Sequence, residues 1–156
     1  MRLSGVRILA AEDNEFNRFV LNDILNLEGA RLTLVNNGQE ALNAVVQHPK
    51  AFDVVLMDVQ MPIMDGREAT RSILKIAPSL PIIGLTAHAI ASEHAECLAV
   101  GMVDVLTKPY KDVELVACIS KQLGREFEEE LITEPQDFPS TKLPNAAFNW
   151  ANLEYK

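Results

Sequence analysis

The chain has 156 residues, of which 48% are hydrophobic and 23% charged, and this balance suits one globular domain with an appendage. It excludes collagenous, disulfide-scaffold and wholly disordered chains, and a formal net charge of -8 without a basic stripe argues against direct binding to nucleic acid. The longest stretch without an acidic or basic residue, 76–92, contains two prolines and a glycine, so it cannot form a continuous membrane-spanning helix, and no membrane contact is expected of this fragment.

Strand-like and helix-like hydrophobic patterns alternate along the chain, beginning with a strand. Residues 6–11 form a short apolar run that predicts a buried strand, and Glu12 and Asp13 follow it. Asn14 is the predicted N-cap of a first helix, which Gly29 ends, as expected of a glycine just past a helix C-terminus. The apolar stripe of this helix consists of Phe16, Val20, Ile24 and Leu27.

Four more pairs of strand and helix follow in the same alternation. The predicted strands cover residues 31–35, 52–58, 81–85 and 103–106. The predicted helices cover residues 39–47, 66–75 and 92–99, followed by a fifth with apolar positions from Val113 to Leu131. With right-handed crossovers, this alternation predicts an α/β fold: a doubly wound (βα)5 open parallel sheet of flavodoxin-like strand order 2-1-3-4-5, with helices on both faces and therefore three layers.

By composition the chain divides into three parts. Residues 1–5 are an N-terminal lead, and residues 6–124 hold the predicted βα units. Residues 125–156 are predicted to form the end of an extended fifth helix and then an acidic linker that contains prolines. The aromatic residues at 148–155 are compatible with the start of a following domain.

Acidic residues lie at the carboxyl ends of the first and third predicted strands, where the strand order reverses. The carboxyl ends of these two strands flank the ligand crevice of an open α/β sheet, so Glu12, Asp13 and Asp58 are expected to converge there. Carboxylates that lie so close repel one another unless a cation neutralises them, and oxygen ligands without His or Cys favour Mg2+. Thr86 and Lys108 follow the fourth and fifth strands and face these acids. This set of groups suits phosphoryl transfer onto a carboxylate, with Asp58 as the nucleophile.

Four motifs make the sequence recognisable: AEDN at 11–14, LMDVQMPIMDG at 56–66, LTA at 85–87 and LTKP at 106–109. In this order and on these elements they resemble the receiver domain of two-component signalling, the CheY-like response-regulator family, over residues 6–123. The amino-acid sequences of the first two motifs are most similar to those of receivers inside hybrid sensor histidine kinases.

The resemblance implies a phosphoacceptor and a magnesium site. Asp58 takes a phosphoryl group from a phosphohistidine. Mg2+ is ligated directly by Asp13, Asp58 and the backbone carbonyl of Gln60, while Glu12 assists through water.

The resemblance also implies which residues hold the phosphoryl group. Thr86 and Lys108 bind its oxygens, so the reaction is expected to depend on these two residues and on Asp58. Lys108-Pro109 matches a peptide that is usually cis in the family, as a proline in a tight, functionally constrained turn can be.

Residues around the phosphoryl group are expected to modulate it. The modulating positions are Ala87, His88, Val105 and Pro109. Val105 stands where many relatives carry an aromatic switch residue, which predicts a weaker conformational readout than theirs. His88 and Gln60 are placed to flank the attacking water and so to set the dephosphorylation rate, although solvent-facing roles suit them equally.

The family context implies a phosphorelay station within a hybrid sensor histidine kinase. The expected partners are a histidine kinase dimerisation domain, a histidine phosphotransfer domain or both, docked along the first helix from Asn14 to Asn22. The fragment promotes its own phosphorylation and dephosphorylation but has no nucleotide-binding motif, so kinase activity is expected of the parent protein instead. The alternatives are a stand-alone or truncated response regulator and a receiver-fold interaction module that works without phosphorylation.

Cysteine spacing indicates the cellular compartment, and missing motifs argue against other classes of phosphate-binding or nucleotide-binding protein. Cys97 and Cys118 lack CxxC spacing and no apolar leader precedes the first strand, which predicts a cytoplasmic fragment, whether or not the parent is anchored in the inner or plasma membrane. A phosphatase of the haloacid dehalogenase type would need a second Asp where Gln60 stands. Neither a P-loop nor a GxGxxG motif follows the first strand.

Overall fold

The computed structural model describes residues 2–124 as alternating strands and helices. In chain order these are β1 (Arg7–Ala11), α1 (Glu15–Leu27), β2 (Arg31–Val35), α2 (Gly38–Gln47), β3 (Val54–Asp58), α3 (Gly66–Ile76), β4 (Ile82–Thr86), α4 (Ala91–Ala99), β5 (Asp104–Thr107) and α5 (Asp112–Gln122). No helix within this part of the chain is long and apolar enough to cross a membrane.

The strands form a five-stranded parallel sheet of order β2-β1-β3-β4-β5, which confirms the predicted doubly wound fold. β1 and β3 are neighbours at the centre, with Ala11 opposite Met57 at their carboxyl ends. On the other side of β3, Asp58 lies opposite Leu85, and Thr86 lies opposite Thr107. The residues that end β1, β3, β4 and β5 therefore share one edge of the sheet.

Alternate strand residues pack against helices on opposite faces, because successive side chains of a strand point to opposite sides. One face buries a cluster that β1, β3 and β4 share with α2, α3 and α4, with Leu9, Val55 and Ile82 among its members. β3 is buried along its whole length. A strand covered on both faces is a rigid support for the residue that ends it.

The first helix is confirmed, but its predicted apolar stripe is not the face that it buries. Asn14 is the N-cap, and its side chain accepts a hydrogen bond from the Asn17 N–H at 3.0 Å. The buried residues of α1 are Leu21 and Leu25, whereas Phe16 at the start of the stripe is 71% exposed. The stripe thus lies beside the buried face, and its aromatic end faces solvent.

Most element boundaries shift by one or two residues from the prediction, and two of the differences bear on the site or the domain end. Thr86 was expected just after the fourth strand but is the last residue of β4. α5 ends at Gln122, and Gly124 follows with a φ of 70°, a conformation that favours glycine after a helix. The predicted extension of this helix, together with the linker at 125–156, lies outside the described residues.

Candidate functional site

The site is built on two buried acids, which lie at the carboxyl ends of β1 and β3. Glu12 is 0% exposed, and its backbone is fixed on both sides: its N–H donates to the Val35 carbonyl at 3.1 Å and its carbonyl accepts from Arg18 Nη1 at 2.9 Å. Asp58 is 6% exposed and is the last residue of β3. The convergence predicted from the reversal in strand order is thus observed for these two carboxylates.

A single ammonium group bridges the two buried acids. Lys108 Nζ lies 2.8 Å from Glu12 Oε1 and 3.2 Å from Asp58 Oδ2. Burial lowers the pKa of the Lys108 ammonium, but its hydrogen bond to Glu12 and its attraction to both carboxylates outweigh that effect, so the pKa lies above its ordinary value. Lys108 therefore remains charged at neutral pH.

One lysine does not neutralise the negative charge around Asp58. Burial, followed by repulsion from Glu12, raises the pKa of Asp58 to about 7, and the opposing attraction of Lys108 does not cancel the increase. A carboxyl group whose ionised form is this costly gains from any further positive charge brought beside it.

The acids also form a cluster that suits a metal ion. Glu12, Asp13 and Asp58 each offer a carboxylate oxygen, and these oxygens all lie within 4.8 Å of one another. Asp13 is exposed to solvent, so the cluster is open on one side. All of the donors are hard oxygens, and burial together with repulsion from Glu12 makes the ionised form of Asp58 costly, so a hard divalent cation fits both features.

Gln60 lies in the loop that follows the acid of β3. Its backbone N–H points toward Asp58 Oδ1, at 3.4 Å. The role predicted for its carbonyl group remains a prediction. The same loop returns to α3 through Gly66, where a Cβ atom would lie 2.2 Å from the Asp58 carbonyl oxygen. Only glycine permits this approach, so Gly66 fixes the path of the loop past the acid.

Thr86 reaches the same edge of the sheet. Contrary to the prediction, its hydroxyl is directed to α4 and not to Glu12, Asp13 or Asp58. It is 1% exposed, and its hydroxyl donates to Glu93 Oε1 at 2.9 Å. The Thr86 hydroxyl oxygen in turn accepts from the His88 N–H at 3.1 Å. The backbone carbonyl of Thr86 accepts from the Lys108 N–H at 2.7 Å, which joins the ends of β4 and β5.

The positions predicted to modulate the site surround Thr86 and Lys108. The Lys108-Pro109 peptide is cis. The His88 ring is exposed, with Nδ1 3.3 Å from Glu93 Oε1, and Ala87 is exposed beside it. Val105 is half-buried and packs against the buried cluster that the sheet shares with α2, α3 and α4.

A shallow apolar groove adjoins the site on the side of α1. It is lined by Phe16, Asn17, Val20, Lys108, Pro109 and Tyr110. Phe19 on the same helix is 68% exposed. Exposed aromatic side chains next to a polar site are typical of surfaces that contact another protein.

Sequence reasoning missed Glu93, Arg18 and Tyr110, all of which border the site. Glu93 bonds to Thr86, Arg18 bonds to the backbone of Glu12, and Tyr110 lines the groove. A glutamate in the first turn of the helix after Thr86 was the available signal for Glu93. Nothing in the spacing of Arg18 or Tyr110 singles them out.

Comparison with known proteins gives a consistent family. Residues 8–120 match the family model described as "Response regulator receiver domain". The chain is 45% identical over 123 residues to "Sensor protein GacS" of Pseudomonas syringae pv. syringae, which covers 76% of this chain and 13% of that protein. It is 36% identical over 144 residues to "Probable histidine kinase 4" of Oryza sativa subsp. japonica, covering 78% and 14% respectively. The chain thus spans about an eighth of the length of these relatives.

A solved structure resembles the fold of this chain. It is the receiver domain of the sensor histidine kinase PA1611 from Pseudomonas aeruginosa PAO1, whose structure holds a magnesium ion coordinated in the active site cleft. The two chains are 37% identical, with a TM-score of 0.72, and the match covers 78% of this chain and 99% of that one.

Proposed function

The chain belongs to the response regulator receiver domain family, and from that premise we propose that it accepts a phosphoryl group on Asp58 and passes it on within a phosphorelay. The observation that carries the proposal is the bridge from Lys108 to the buried carboxylates of Glu12 and Asp58. An acid that is buried beside a second acid and a lysine, at the open end of a central strand, is placed for chemistry and not for stability.

The metal proposed for the site is Mg2+, held by Asp13, Asp58 and the backbone carbonyl of Gln60, with Glu12 acting through water. When bound, it supplies positive charge that keeps Asp58 ionised and neutralises oxygens of the phosphoryl group. The acidic cluster of this chain and the magnesium ion in the PA1611 receiver structure support this choice.

The chemical step exchanges one phosphorus bond for another. A carboxylate oxygen of Asp58 forms a bond to phosphorus while the bond between phosphorus and the donor histidine nitrogen breaks. The bonding electron pair stays on that nitrogen, and because the other ring nitrogen of the donor carries a proton, the histidine leaves as a neutral imidazole. Lys108 and Thr86 bind the transferred oxygens, and Lys108 is already within 3.2 Å of the acceptor carboxylate.

The parent protein proposed for this chain is a hybrid sensor histidine kinase. Both curated relatives described above are named as sensor or histidine kinase proteins, and the chain covers only a small part of each. Residues 6–124 would then be the cytoplasmic receiver, and residues 125–156 would link it to a further domain of the parent. A stand-alone or truncated response regulator has the same site, so the site does not separate these alternatives.

The partners proposed for the exchange are a kinase dimerisation domain and a histidine phosphotransfer domain. The docking face proposed here for a phosphodonor helix is α1 from Asn14 to Asn22. The exposed Phe16 and Phe19 and the groove between α1 and Lys108 support that placement, because they adjoin the acceptor.

Intact-mass measurement of the chain with acetyl phosphate tests the proposal. With Mg2+ we expect one phosphoryl adduct, which disappears without Mg2+ and in Asp58→Asn. Asp23→Asn, which removes an exposed carboxylate on α1, is the matched control and should be phosphorylated like the wild type. If wild type forms no adduct although it is folded, the chain is better described as an interaction module that works without phosphorylation.

A further inference from the structure

The hydroxyl of Thr86 has one proton, and in this structure that proton is already in use. It donates to Glu93 Oε1 at 2.9 Å, while the His88 N–H, at 3.1 Å, donates to the hydroxyl oxygen itself. A hydroxyl group donates one hydrogen bond. Thr86 therefore cannot donate to Glu93 and to a phosphoryl oxygen at the same time.

Glu93 does not cap its own helix, although its position would allow it to. It occupies the N3 position after the N-cap Ile90, where a glutamate commonly accepts a bond from the N-cap N–H. Glu114 at the N3 position of α5 does this, accepting from the Lys111 N–H at 2.8 Å. The start of α4 is instead tied to Thr86 through Glu93.

The surroundings of Glu93 strengthen this bond. Its side chain is only 16% exposed, and Thr86 is almost fully buried. The hydrogen bond from Thr86 is the main reason that the pKa of Glu93 lies below its ordinary value, against the opposing effect of burial. Glu93 is thus ionised at neutral pH and accepts a charge-assisted hydrogen bond, which is stronger than one between neutral groups.

We propose that Glu93 is a positioning residue that competes with the aspartyl phosphate for the Thr86 hydroxyl. The competition sets the cost of recruiting Thr86 and links phosphorylation to the first turn of α4. When Thr86 turns to the phosphoryl group, Glu93 keeps the His88 ring as its partner and is free to accept from the N-cap of α4. This inference rests on the proposed roles of Asp58 and Thr86.

Titration of the full chain with beryllofluoride in the presence of Mg2+ tests the competition. Beryllofluoride mimics the phosphoryl group, and the His88 amide, which bonds to Thr86, reports binding by NMR. Glu93→Ala removes the competitor, so we expect about fivefold tighter binding of beryllofluoride. Glu93→Gln keeps an acceptor without the charge and should stay within about twofold of wild type.

Two further variants separate the hydrogen bond from other effects. Glu96→Ala removes another carboxylate from α4 and its ion pair with Arg67, and it should leave the affinity within about twofold of wild type. Thr86→Val removes the contested proton, so adding Glu93→Ala to it should change nothing further.

The outcomes distinguish the inference from the function beneath it. If wild type does not bind beryllofluoride in an Asp58-dependent way, the proposed function and this inference both fail. If wild type binds and Glu93→Ala is no tighter, the inference alone is wrong. It is also wrong if Glu93→Gln tightens beryllofluoride binding as much as Glu93→Ala does, because the effect is then one of charge. The same holds if Glu93→Ala tightens binding in the Thr86→Val background as much as in the wild type.

Discussion

The site has two sides that are held in different ways. The acid side, which consists of Glu12, Asp13 and Asp58, lies at the ends of β1 and β3, and every residue of β3 is buried. The threonine side, which consists of Thr86 and Glu93, joins the end of β4, which is also buried throughout, to α4, in which a single residue is buried. Firm packing therefore supports Asp58 and Thr86, whereas lighter packing supports Glu93 on α4.

The helix N-termini show the same contrast. Asn14, Asn37 and Asp65 cap α1, α2 and α3 through their side chains, whereas α4 follows Ile90 without a side-chain cap bond. The neighbouring strand β5 is half-buried at every position. A segment with few buried contacts moves at low cost, so α4 and β5, which flank the threonine side, can change their arrangement while the acid side keeps its own.

Cavity substitutions on the two sides should differ most. Leu56 in β3 is fully buried, and Leu56→Ala should cost about 4 kcal/mol of unfolding free energy. Leu106 in β5 is half-buried, and Leu106→Ala should cost about 1.5 kcal/mol, because less apolar surface is lost and the site can relax. Urea unfolding followed by circular dichroism measures both values. Equal losses would show that the two sides are packed alike.

Removing the bridge between the acids should have the next largest effect. Lys108→Met leaves the fully buried Glu12 without its cation, so we expect a loss of about 3 kcal/mol in metal-free buffer. Millimolar Mg2+ should restore part of that loss, since it supplies positive charge to the same acids. Urea unfolding with and without Mg2+ checks this, and Lys121→Met, at an exposed position on α5, serves as the control. A loss that Mg2+ leaves untouched would mean that Lys108 acts through packing alone.

The stability of the acid side should depend on pH through Asp58. Its folded pKa of about 7 exceeds its ordinary value of 3.8, so the ionised form destabilises the folded state. This destabilisation is absent below about pH 4 and grows as the pH rises through 7. Asp58→Asn should therefore stabilise the metal-free protein by about 2 kcal/mol more at pH 8 than at pH 5. The measurement is urea unfolding at both pH values, and an equal gain at both would contradict the raised pKa.

The smallest expected effect concerns the missing cap of α4. Ile90 is exposed with an extended backbone, so Ile90→Ser supplies a capping oxygen and should stabilise the protein by about 0.5 kcal/mol. Asn14→Ala removes the cap of α1 and should cost about 1 kcal/mol. Thermal unfolding of both variants gives the two shifts. A loss of stability in Ile90→Ser would show that its apolar side chain matters more than the vacant cap.

The strand alternation and the acids were predictable from sequence because both follow from local rules. Apolar runs that end in acids identify the strands, and parallel strands bring their carboxyl ends to one edge, so Glu12 and Asp58 had to meet. The buried face of α1 was not predictable in this way. Helical spacing gives the type of element, but Phe16 and Leu21 both lie on apolar stripes, and only packing against the sheet decides between them.

The bond between Thr86 and Glu93 could not be predicted either. Its existence depends on the distance from the first turn of α4 to the end of β4, which tertiary packing sets within fractions of an ångström. Sequence reasoning placed Thr86 among the acids because its strand ends there. It could not tell which acceptor would take the single hydroxyl proton.

The charge of the three carboxylates, which one ammonium group only partly neutralises, also bears on the order in which a cation and a phosphodonor bind. A phosphorylated donor is an anion. The cluster that it approaches is also negatively charged while Lys108 is the only positive charge beside Glu12, Asp13 and Asp58. Electrostatic repulsion slows such encounters, and a bound divalent cation removes that repulsion because its charge offsets the remaining negative charge. For the proposed phosphotransfer we therefore expect the cation to bind before the donor, so that the supply of divalent ions sets how often productive encounters occur.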